Sequence, residues 1–144
     1  MNFNIERASI PLPEQEPGAG SLRMVERRLE GALAINTGIM NDATVSEQKK
    51  DMAHKVFCRV SWQQITLERL KNWKIHEAVD GGATWSDAEE QASKLSANEA
   101  LLHLEDWMQQ NFDGPPHAED PDSIACREYA EDLRSKLIDE ASRS

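Results

Sequence analysis

Cysteine is scarce in this chain, with only Cys58 and Cys126 among 144 residues and no CxxC pair. That excludes a disulfide scaffold, and the lack of an apolar h-region in the first thirty residues argues against a secreted precursor. Long hydrophobic runs are missing as well. Ala32-Leu33-Ala34-Ile35 is among the longest, far short of the roughly 20 apolar residues that cross a bilayer. Aromatic residues make up 6% of the chain and tyrosine occurs once, yet there are four tryptophans. Those rings, with three Phe, five Met and many Leu and Ala, are too much apolar surface for a chain that stays unfolded. The expectation is one domain with a modest core, not inserted in a membrane, in a reducing cytoplasm.

Positive charge is also in short supply, and unevenly so. Residues 1–75 hold 11 Lys/Arg against 9 Asp/Glu, a net of +2, whereas residues 76–144 hold 5 against 17, a net of −12. Such asymmetry bears on solubility and partners rather than on fold.

Pro11, Pro13 and Pro17 with Gly18 and Gly20 disfavour a helix and predict an extended N-terminal arm over residues 1–20. Residues 21–144 read as a single helical domain, charge-balanced over 21–80 and acidic over 81–144. From a Ser21 N-cap, Leu22, Val25, Leu29, Ala32, Leu33 and Ile35 recur at helical spacing, predicting a helix that ends near Asn36-Thr37-Gly38. Thr44-Val45-Ser46-Glu47 fits a capping box and predicts a second helix starting there and stopping at Asp80-Gly81-Gly82. Within it, residues 56–62 have the β-branched and aromatic content of a short strand, but the flanking period favours helix. Thr84 caps a third segment. Ser96-Ala97-Asn98-Glu99 is a second capping box ahead of the stripe Leu101, Leu104, Met108 and Phe112, and spacing leaves open whether one helix or two meet at Ser96. Asp120-Pro121 announces the last helix, with the stripe Cys126, Ala130, Leu133, Leu137 and Ala141. The fold expected is an all-α bundle of four or five helices behind an extended arm.

Chemistry-bearing patterns are thin. His54 and Cys58 share a helix face, but no second tight pair completes a four-ligand zinc site. Gly18-Ala19-Gly20-Ser21 lacks the Lys-Ser/Thr of a P-loop and reads as a flexible hinge with a serine cap. No GxSxG or HExxH is present, and adjacent carboxylates on a helix diverge by about 100°, so they are not convergent acid–base pairs. No catalytic residue, metal set or cofactor is expected.

What remains is surface. Glu89, Glu90, Glu105, Asp106, Glu131, Asp132, Asp139 and Glu140 compose the expected acidic face, and Trp73 and Trp85, near the Gly81-Gly82 turn, the expected aromatic anchors. Trp62 and Trp107 are assigned to the core. Lys55, Arg59 and Gln63 fall on one ridge of the second helix, suited to pairing with acidic helices of the same chain or another copy. A pI near 4.8 disfavours direct nucleic-acid binding. The function expected is a small acidic interaction or regulatory protein whose partner is a protein with a basic surface. A nucleic-acid-mimicking inhibitor is the alternative, a self-assembling homo-oligomeric component the third reading.

Overall fold

A computed structural model describes residues 17–112 and 121–143. Among these residues five helices follow in order: α1 (Leu22–Asn41), α2 (Glu47–Asp80), α3 (Trp85–Ser93), α4 (Ala97–Asn111) and α5 (Pro121–Ala141). The all-α bundle read from the periodicity is the fold observed, and residues 56–62 are helix. Asp120, read as the cap of α5, lies outside the described residues, as does most of the expected arm.

Four helix starts carry a hydroxyl cap, which satisfies a backbone N–H left without an intrahelical partner. Ser21 Oγ accepts from Met24 N at 3.1 Å, Thr84 Oγ1 from Asp87 N at 3.2 Å, and Ser96 Oγ from Glu99 N at 3.0 Å while donating to Glu99 Oε1 at 3.2 Å. The start of α2 differs from the expectation. Ser46, not Thr44, is its N-cap and accepts from Lys49 N at 3.3 Å. Asp42 is the reason: Thr44 donates both its hydroxyl, at 2.6 Å, and its N–H, at 2.9 Å, to Asp42 Oδ1. That side-chain turn commits Thr44 upstream and postpones the helix by two residues. α1 also outlasts its predicted end. Gly38 is not among the glycines with positive φ, so it continues the helix to Asn41, and Asp42 ends it by turning to extended backbone.

The break between α3 and α4 has a tertiary cause. Leu22 N donates to Leu95 O at 3.0 Å and Ala97 N donates to Gly20 O at 2.7 Å, a short antiparallel bridge between the start of α1 and the start of α4. Backbone groups of Leu95 and Ala97 that a continuous helix would pair internally are used across the fold instead. Gly20 is therefore no free joint. Its φ of 83° lies in the region glycine tolerates best, and its N–H donates to the buried Glu140 Oε2 at 2.9 Å.

The core is built from α1, α2, α4 and α5. Leu22, Val25 and Leu29 of α1 meet Val60, Leu67 and Leu70 of α2, Leu101 and Leu104 of α4, and Leu133 and Leu137 of α5. The five-residue connection 42–46 makes α1 and α2 antiparallel neighbours, and Lys71 of α2 pairs at 3.1 Å with Glu26 near the start of α1. α3 packs separately on the end of α2, where Ala88 and Ala92 meet Ile75.

Glu140 is fully buried at the far end of α5, donated to by Gly20 N and by the Arg28 guanidinium. Glu140→Ala strands the Gly20 N–H, and the expected loss of unfolding free energy is on the order of 1–3 kcal/mol. Urea titration monitored by circular dichroism measures it; a loss indistinguishable from that of an exposed Glu89→Ala control would contradict the assignment.

Candidate docking surface

The outward sides of α2 and α4 build one exposed aromatic surface. At 100° per residue, Ile65, Arg69, Trp73 and His76 fall on one side of α2, and all four are exposed. On α4 the apolar stripe Ala97, Leu101 and Leu104 enters the core, which turns Glu99, Leu102, His103 and Asp106 to the opposite side. The two faces meet where Trp73 stacks on His103, ring centroids 3.8 Å apart and planes 22° from parallel. One turn further along α2, His76 meets Trp85 of α3 edge-on at 5.7 Å.

Trp73 is 45% exposed, Trp85 51% and Leu102 61%. Beside the stacked pair lies a cleft of about 500 Å³, its floor formed by Leu70 and Leu95 and its rim by Glu99 and Asp106 opposite Lys74. Apolar floor, aromatic wall and carboxylate rim thus occur together. Trp62 and Trp107, expected inside, are half-buried in an aromatic cluster of their own. Trp62 lies 6.1 Å from Trp107 and 6.0 Å from Tyr129, and Trp107 lies 5.3 Å from Phe112. Rings of this size sit at the edge of a bundle whose interior is filled by leucine.

The eight carboxylates read as an acidic face do not form one row. Glu140 is inside the fold. Asp132 belongs to a part-buried network: Gln63 Nε2 donates to Asp132 Oδ2 at 2.8 Å and to Tyr129 O at 3.0 Å, and Lys136 Nζ donates to Gln63 Oε1 at 2.7 Å. Glu90, Glu105, Glu131 and Asp139 pair with Lys94, Arg134, Arg127 and Arg143. Glu89 and Asp106 are exposed. The ridge of Lys55, Arg59 and Gln63 is interrupted too. Lys55 is exposed, Arg59 Nε approaches Asp132 Oδ2 at 3.5 Å, and Gln63 is fully buried. A residue's place on a helix face says which way it leaves the axis, and packing of α5 across α2 covered Gln63 while leaving Lys55 outside.

His54 and Cys58 come together, Nε2 to Sγ 3.8 Å, but among the described residues no group of three or more His, Cys, Asp or Glu is placed to hold a metal. No helix among them is long and apolar enough to cross a membrane. Sequence reasoning missed Leu102, His76 and His103. Leu102 had a signal, because it lies about 100° off the α4 stripe and no core position explains it; the two histidines had none, since their ring partners are tertiary. In comparisons with known proteins, the chain matches no family model, no curated protein and no solved structure.

Burial pushes the Asp132 carboxyl up, but hydrogen bonds from Gln63 and Lys136 and the charges of Lys136 and Arg59 outweigh it and hold the group below its ordinary value of 3.8. Its folded pKa is thus depressed, so its contribution to stability is complete above the unfolded value and is lost as pH falls below it. Urea unfolding measured downward from pH about 5 should show a shallower acid decline in Asp132→Asn than in the natural chain. Parallel declines would remove Asp132 from the acid response.

Proposed function

We propose that this chain is a non-enzymatic interaction protein that docks on a basic surface of another protein through the Trp73–His103 face of α2 and α4. The observation that carries the reading is the stacked Trp73–His103 pair, in which Trp73 is exposed beside Leu102 and over the cleft. Large apolar side chains gathered in the open and rimmed by polar groups mark interaction sites, and tryptophan is prominent among binding anchors. Glu99 and Asp106 at the rim select a partner segment that carries Lys or Arg beside an apolar side chain, and the net charge of −10 draws such a segment in. A reducing cytoplasm suits the free thiols of Cys58 and Cys126.

A nucleic-acid mimic needs a row of unneutralised carboxylates in phosphate-like order. The cations beside Glu90, Glu105, Glu131, Asp132 and Asp139 favour the protein-docking reading instead.

Capture of partners on the immobilised full chain from extract of its native host, read by mass spectrometry and then titrated with the purified partner, tests the proposal. Trp73→Ala should weaken binding by about 2 kcal/mol, roughly thirtyfold. Asp106→Lys should slow association, and raising salt from about 0.05 to 0.5 M should weaken the natural complex. A partner held equally by Trp73→Ala and insensitive to salt would refute both the site and its electrostatics.

A further inference from the structure

A second surface lies on the opposite arm of the fold. Residues 31–41, the outer half of α1, contain no Asp, Glu, Lys or Arg, the longest such run in a chain that is 29% charged. Gly31, Ile35 and Gly38 fall within an arc of roughly 60°, and all three are exposed, as is Ala34 beside them. Ile35, whose spacing puts it in the apolar stripe of α1, is instead 66% exposed, the most open of the large apolar side chains among the described residues. Among the described residues a Cβ at Gly31 or Gly38 would meet nothing within 4 Å, so their packing does not require glycine at either position, although glycine inside a helix is destabilising. From Ala34 to Lys55 Ala53 is the only buried residue; among the described residues, little else covers this end of the α1–α2 hairpin.

We infer that this face is a self-association surface, on which α1 of one copy packs against α1 of a second. Charge decides the occupant. In a two-fold symmetric contact the same patch is used by both copies, and residues near the axis meet their own images. A two-fold contact centred on the exposed Glu89 of α3 or Asp106 of α4 would set carboxylate against carboxylate, whereas residues 31–41 bring no like charges together. A basic partner gains nothing from an uncharged face, which separates this surface from the Trp73–His103 face. Gly31 and Gly38 let two backbones approach closely, and Ile35 supplies the side chain that fills the space between them.

Size-exclusion chromatography with light scattering on the full chain, from micromolar to millimolar concentration, tests the inference. The mass should rise from 16.2 kDa toward twice that value as concentration increases. Ile35→Glu should hold it at one chain with unchanged helical circular dichroism, since the side chain is exposed. Gly31→Ala combined with Gly38→Ala should raise the dissociation constant roughly tenfold by keeping the helices apart. A one-chain mass at every concentration, or an oligomer that Ile35→Glu leaves intact, would overturn the inference; neither result bears on the Trp73 site.

Discussion

One buried carboxylate closes this fold. Glu140, almost at the end of α5, takes a hydrogen bond from Gly20 N and a charge-assisted one from Arg28, and through Gly20 it is linked to α4, because Gly20 O accepts from Ala97 N. A buried carboxylate without partners would cost several kcal/mol. Glu140 is instead satisfied by groups from the segment that opens α1, so the end of α5 and the starts of α1 and α4 are held at one point. Gly20 is suited to that position by its positive φ, and the Leu22–Leu95 bond beside it completes the bridge.

The clasp determines what is left outside. With α1, α4 and α5 gathered on one side of the long α2, their leucines fill the interior, and the tryptophans, too large for that space, stay at its edges. Trp62 and Trp107 are half-covered by Tyr129 and Phe112; among the described residues Trp73 and Trp85 each meet one ring, a histidine. α4 begins where the bridge fixes Ala97, which sets its rotation and brings His103 under Trp73. The proposed docking face is thus a consequence of how α4 is seated, and it is formed before any partner arrives, which spares binding the cost of ordering it.

Much of the architecture was legible. Hydroxyl caps at Ser21, Thr84 and Ser96 and the leucine stripes of α4 and α5 are local signals, and local signals survive folding. The exposure of Trp73 and Trp85 followed from their number and place, since a small bundle has little room for four indoles. Illegible features depend on partners distant in sequence. Glu140 and Asp139 are adjacent acids with nothing local to tell them apart, yet one is buried and the other exposed, because only the first meets Gly20, 120 residues away. Gln63 joined a basic ridge on helical geometry and was claimed by α5. The Thr44 box failed for the opposite reason, a competing acceptor two residues upstream whose strength periodicity does not weigh.

The Gly20–Glu140 clasp is integral to the fold and not a local fastening of its first helix. Native-state amide hydrogen exchange of Gly20, Leu22 and Ala97 tests it most directly, since each N–H is donated into the clasp or its bridge. All three should exchange only with global unfolding, at the same free energy as the leucine core of α4. Exchange of Gly20 and Leu22 at loop-like rates while the core stays protected would contradict the account.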